Sequence, residues 1–100
     1  MTLGDKCIQL YPNKIPIIVH YDYIPNKITK FLVDNTTTIS YILVQIRRKI
    51  KISYTDSIYV LVNNMRPNDP QMVITLYQKY KNIKDGCLHV TIYKENIFQN

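Results

Sequence analysis

An α+β domain built on a four-stranded mixed sheet is the fold this sequence predicts, and three observations predict it. Four β-branched or apolar runs read as strands, a long stretch between the second and third carries a helical apolar stripe, and a shorter helical pattern separates the third from the fourth. Hydrophobic residues are 46% of the 100-residue chain, enough for one domain with its own core and too many for a disordered segment.

Residues 1–10 form a short N-terminal segment with room for one turn or helix, residues 11–98 the domain, and residues 99–100 a tail. Tyr11-Pro12-Asn13-Lys14 is a turn signal, and Ile15-Pro16-Ile17-Ile18-Val19-His20-Tyr21 after it reads as the first strand. Pro16, which has no N–H, places that strand at a sheet edge or places Pro16 near the strand's start. Ile24-Pro25-Asn26-Lys27 turns the chain into a second strand, Lys30-Phe31-Leu32-Val33, antiparallel to the first. Asp34-Asn35-Thr36-Thr37-Thr38 supplies side chains that cap helices. Ile39, Ile42, Leu43, Ile46 and Ile50 then fall on one helical face. Arg47, Arg48, Lys49 and Lys51 follow at its end, where positive charge opposes the negative pole of the helix dipole.

Ile58-Tyr59-Val60-Leu61-Val62 is nearly all apolar and predicts a strand covered on both faces. Asn63-Asn64 ends it. Asp69-Pro70 reads as an N-cap and first helical residue, with Met72, Val73, Leu76, Tyr77 and Tyr80 as the buried side of a short helix. Lys84-Asp85-Gly86 is a turn, and Leu88-His89-Val90-Thr91-Ile92-Tyr93 the last strand, followed by a tail whose apolar members are Ile97 and Phe98. A last strand beside the first would run parallel to it. That order is a β-grasp arrangement: one main helix crossing a mixed sheet, plus a short second helix.

Several function classes fall away. His20 and His89, the available neutral-pH bases, lie in strands without a nucleophile motif or phosphate loop, and the seven Asp and Glu residues are scattered, so no enzyme is expected. Cys7 and Cys87 match no metal-ligand spacing and read as reduced, packed thiols, with a disulfide as the alternative that sequence alone does not place; no cofactor is expected. No run has the apolar length of a membrane span, and the first ten residues carry Asp5 and Lys6 in place of an apolar signal core, so a cytoplasmic protein is expected. The net charge of +6 favours acidic partners. Nine tyrosines among 13 Lys and Arg keep a nucleic-acid-binding domain as the rival of a different class, although Tyr59, Tyr77 and Tyr93 read as core and no RNA-binding signature is present, so no nucleic-acid partner is expected.

Tyr11-Pro12-Asn13-Lys14-Ile15-Pro16-Ile17-Ile18-Val19, Lys30-Phe31-Leu32-Val33, Ile46-Arg47-Arg48-Lys49-Ile50, Val62-Asn63-Asn64, Leu76-Tyr77, Asp85-Gly86 and Glu95-Asn96-Ile97-Phe98 resemble, in order and spacing, the autophagy-related ubiquitin-like modifiers. This is the group of the GABA-A-receptor-associated protein and the microtubule-associated light chains. The resemblance implies a ubiquitin-like β-grasp fold with its N-terminal helical extension shortened. It also implies binding of aromatic-x-x-aliphatic motifs of autophagy receptors and adaptors, by strand addition to Lys30-Phe31-Leu32-Val33.

The resemblance assigns an aromatic pocket to Cys7, Pro16, Ile18, Lys30, Leu32 and Cys87. It assigns an aliphatic pocket to Phe31, Val33, Thr37, Ile42, Gln45 and Ile46, and contacts with an acidic flank to Lys14, Lys30 and Lys49. Family members usually have Phe where Cys87 falls, apolar residues where Thr37 and Gln45 fall, and Pro where Asp34 falls. The family is also joined to lipid through a terminal glycine. Here Phe98 is followed by Gln99 and Asn100, and the two glycines are Gly4 and Gly86, so lipid conjugation is not expected. A chain of this kind, a monomer engaging conjugation machinery only non-productively, would reach autophagosomal membranes indirectly. It could act as a soluble competitor of conjugated modifiers.

Overall fold

The computed structural model describes residues 1–53 and 55–96. Ile97 and Phe98, the apolar members of the tail, and residues 99–100 lie outside the described residues. In chain order the elements are α1 (Leu3–Leu10), β1 (Lys14–Tyr21), β2 (Ile28–Asp34), α2 (Ile39–Ile50), β3 (Asp56–Leu61), α3 (Val73–Tyr80) and β4 (Leu88–Asn96). The four strands form one sheet in the order β2-β1-β4-β3. β1 runs antiparallel to β2 and parallel to β4, and β3 runs antiparallel to β4.

Local chemistry accounts for the boundaries. Thr2 and Asp5 close a reciprocal capping box at the start of α1. The Thr38 hydroxyl accepts the Tyr41 N–H at the start of α2. Asn63 and Asn64 both adopt positive φ, 52° and 64°, which suits the short polar side chains that tolerate left-handed backbone. The Asn13 carbonyl accepts the Asn35 N–H at 3.0 Å, and this fixes the phase of the β1–β2 ladder. Alternation then directs the N–H and C=O groups of Thr29, Phe31 and Val33 at β1, and those of Ile28, Lys30 and Leu32 out of the sheet edge. The missing Pro16 N–H costs no ladder bond, because β4 begins to pair one residue later, at Ile17 with Leu88. Pro16 therefore marks the start of a central strand.

The core lies between the sheet and the helices α2 and α3. Ile15, Ile17, Val19 and Tyr21 of β1, Leu88, Val90 and Ile92 of β4, and Ile58 and Val60 of β3 meet Ile39, Ile42, Ile46, Val73, Leu76 and Tyr77. The opposite, outer face is covered at one end by α1, which packs on β1.

Three sequence expectations are corrected. β3 is buried on one face: Ile58 and Val60 are covered while Tyr59 and Leu61 are half-exposed, because among the described residues α1 packs on β1 and not on the outer face of β3. Tyr59 and Tyr93 are likewise not core; they stack on that outer face with centroids 5.4 Å apart, and Tyr77 alone of the three is buried. Asp69-Pro70 does not start α3. The Asp69 and Gln71 carbonyls accept the N–H groups of Ser40 and Ile39, and the Val73 N–H reaches the Thr37 carbonyl, so Asp69-Pro70 form a turn, closed by the Gln71 N–H on the Asn68 carbonyl, that is held against the start of α2. The N-cap is then Met72, which has no side-chain cap and stays partly exposed, while Tyr80 is half-buried.

α1 is held by contacts that demand glycine. The Gly4 N–H donates to the Asp85 carbonyl at 2.7 Å, and a Cβ on Gly4 would lie 2.0 Å from the Gly86 carbonyl oxygen. Gly86 itself has φ +71°, a left-handed value that glycine adopts without strain. Gly4→Ala should therefore undock α1 and destabilise the domain by about 1–3 kcal/mol, the usual scale of overpacking. A chemical denaturation midpoint equal to that of the wild type would refute this close-packing account.

Candidate functional site

Two hollows flank the open edge of β2, on opposite faces of the sheet. Successive residues of a strand point to opposite faces, so Lys30 and Leu32 stand on the outer face, and Phe31 and Val33 on the α2 side. On the outer face a cavity of about 360 Å³ is lined by Leu3 and Cys7 of α1, Pro16 and Ile18 of β1, Lys30 and Leu32 of β2, and Cys87, with Ile17 and Phe31 at its inner margin. All six residues assigned by resemblance to an aromatic pocket meet here. Leu3 was missed, although its spacing of four from Cys7 puts both on one face of α1.

On the other face, Ile17, Phe31, Val33, Ile42 and Gln45 surround a shallow hollow with about 160 Å³ of empty space, too narrow for a water-sized sphere. Four of the six residues assigned to an aliphatic pocket meet there. Ile46 does not, being fully buried in the core. Thr37 does not either: it is buried, and its backbone carbonyl is committed to Val73.

The three assigned lysines differ. Lys30 is exposed on the edge strand. Lys14 is paired with Asp34 at 2.6 Å across the β1–β2 ladder. Lys49 reaches back from α2 to place its Nζ 5.3 Å from the centre of the Phe31 ring, at the rim of the second hollow. Arg47 donates to the Asp56 carbonyl at 2.7 Å and so ties α2 to β3.

The family model described as "Autophagy protein Atg8 ubiquitin like" matches residues 2–99. The chain belongs to the Atg8 family. Among curated relatives, autophagy-related protein 8e of Arabidopsis thaliana is 33% identical over 92 residues, covering 88% of this chain and 75% of its own length. Autophagy-related protein 8 of Schizosaccharomyces pombe is 29% identical over 101 residues, covering 97% and 83%. The crystal structure of Trypanosoma brucei ATG8 superposes with a TM-score of 0.82 at 22% identity, covering 96% of this chain and 85% of that one. Plasmodium falciparum Atg8, solved in complex with a Plasmodium falciparum Atg3 peptide, gives 0.74 at 24% identity, covering 89% and 82%. The expected ubiquitin-like fold and autophagy family are thereby established.

Within this Atg8-family fold the cavity's two thiols have unequal surroundings. Burial pushes the Cys87 thiol up to about 11, helped by the nearby Asp85 and Cys7, and its Sγ–H points at the Asp85 carbonyl 3.5 Å away. Cys7 is half-buried. At pH 8 only about one Cys87 in a thousand would be the reactive thiolate. Iodoacetamide at pH 8 should accordingly label Cys7 and reach Cys87 only on unfolding, as read by peptide mass mapping. Equal labelling of both in the folded protein would contradict this environment.

Proposed function

We propose that this chain binds aromatic-x-x-aliphatic motifs of autophagy receptors and adaptors by taking them as a fifth strand on the β2 edge. The observation that carries the reading is the placement of the two hollows on opposite faces of one edge strand. A strand laid along β2 turns residues three positions apart to opposite faces, because three is odd and the strand period is two. An aromatic anchor would enter the outer cavity while an aliphatic anchor three residues on reaches the α2-side hollow. The backbone groups of Lys30 and Leu32, directed outward, would supply the pairing.

The outer cavity falls within the range of about 300–1,000 Å³ typical of ligand pockets. The second hollow is narrower and would widen by movement of the Phe31 and Gln45 side chains. Lys30 would meet an acidic flank directly, whereas Lys14 would first have to leave Asp34 and Lys49 would act from the rim. Ile46 and Thr37 would support the site rather than touch the guest. A peptide like that held by the Plasmodium falciparum protein is a reasonable first ligand.

The protein is read as a monomeric cytoplasmic binder without enzymatic activity, brought to autophagosomal membranes by its partners. Nucleic acid is the weaker reading. Arg47 is engaged with backbone, Arg66 lies over Tyr59, Lys94 pairs with Asp56, and Tyr59 and Tyr93 stack on each other.

Calorimetric titration with a Trp-x-x-Leu peptide bearing an acidic flank tests the reading. Leu32→Ala and Lys30→Ala, both at exposed positions, should each weaken binding by about five- to tenfold, or about 1 kcal/mol. Absence of heat with the wild type, or unchanged affinity in both variants, would reject it.

The further reading is that neither glycine within residues 1–100 accepts lipid. Gly4 and Gly86 are packed against each other inside the fold and are unsuited to serve as an acceptor end. Incubation of the 100-residue chain with Atg8 conjugation enzymes and phosphatidylethanolamine liposomes should leave its mass unchanged. A lipid adduct would overturn the reading, and an unmodified chain that still binds motifs would be a soluble competitor.

A further inference from the structure

Beside the outer cavity, His20 of β1 and His89 of β4 stack with ring centroids 5.1 Å apart, and His20 Nε2 lies 2.8 Å from His89 Nδ1. His89 Nε2 contacts Asp85 Oδ2 at 2.5 Å. We propose that His20, His89 and Asp85 form a proton-counting latch that braces the cavity at neutral pH and, on taking up a second proton, opens and weakens motif binding. The inference rests on the motif-binding reading above.

With both rings neutral, the hydrogen-bond chain has one consistent assignment. Asp85 is ionised and can only accept, so His89 Nε2 carries a proton and donates it. Neutral His89 then presents a lone pair at Nδ1, which must accept the Nε2–H of His20. One further proton fits without movement: it can sit on His20 Nδ1, or on His89 Nδ1 with His20 changing tautomer. A second cannot. Both facing nitrogens would then carry hydrogens across 2.8 Å with no acceptor between them, and two positive rings would be stacked.

The surrounding charges agree. Burial and the neighbouring His89 hold His20 below the usual histidine value, against an upward pull from Asp85. Burial raises the Asp85 carboxyl, but bonds from the Cys87 N–H and His89 more than offset it and keep it below the usual carboxylate range. On β2, Lys30 stands on the same sheet face, opposite Ile18, and adds positive charge. α1, packed on β1, brings exposed Asp5 and Lys6 and the Cys7 thiol.

The latch touches three walls of the cavity. His89 is beside Ile18 in the β1–β4 register. Asp85 Oδ1 accepts the Cys87 N–H at 2.9 Å. The Asp85 carbonyl holds Gly4, one residue from Leu3. When the histidines part, these walls lose a common support. The closed pair holds one proton beyond the neutral state and the open pair two, so closure is favoured above the pH range in which the second proton binds and is lost as pH falls through it.

The test pairs nitrogen-15 NMR titration of the two imidazoles with calorimetry, using a Trp-x-x-Leu peptide without acidic residues so that the peptide itself does not titrate. In the wild type the rings should protonate in two separated steps. Affinity should hold through the first and fall through the second, by at most about tenfold per pH unit for one proton. His20→Gln keeps an N–H donor toward His89 but cannot titrate, and its affinity should be flat over the same range. Two overlapping ordinary titrations, or an equal acid loss in His20→Gln, would overturn the latch. Peptide that fails to bind at pH 7 while the two-step titration persists would instead overturn the motif reading and, with it, the latch's effect on binding.

Discussion

Residues 15–19 of β1 are buried in succession, so this strand is covered on both faces while it also pairs on both edges. That double enclosure organises the molecule. Odd-numbered residues of β1 pack against α2 and α3, and even-numbered ones form the floor beneath α1. With β4 taking the far edge of β1 in parallel, β2 has β1 as its only strand neighbour among the described residues, which leave its other edge open. The two hollows are consequences of the same arrangement, one where α1 stops short of β2 and the other where α2 does.

The basic charge of the chain is less free than its sum suggests. Arg47 ties α2 to β3, Lys94 pairs with a largely buried Asp56, and Lys14 pairs with Asp34. Lys49, Arg66, Lys79 and Lys81 lie over aromatic rings, where the face of the π-system attracts a cation. Lys30 is different because it belongs to the open edge itself. Charge at this position acts where a guest strand would arrive, and steering by charge affects encounter more than final affinity.

Where the sequence was read wrongly, a long-range contact outweighed a local signal. Asp69-Pro70 is a sound helix-start pair, but the carbonyls of Asp69 and Gln71 are used by the N-terminus of α2, and the helix begins later. The apolar run of β3 promises cover on both faces, yet α1 is too short to reach it, and Tyr59 covers itself by stacking on Tyr93. Ile46 and Thr37 fit an aliphatic wall by resemblance, but packing draws one into the core and commits the other's carbonyl to Val73.

By itself the sequence determined the α+β class and the order and type of the strands and of the two helices after the first strand. These follow from periodicities of 2 and 3.6 and from turn chemistry, which act over a few residues. It also supplied, through family resemblance, all the assigned residues of the outer cavity. Tertiary structure alone decided that Leu3 completes that cavity, that the two hollows lie on opposite faces of one edge strand, and that His20 and His89 meet. Each of those depends on which distant segments become neighbours, here residues 69 apart in the chain for the histidines, and no local pattern encodes that distance.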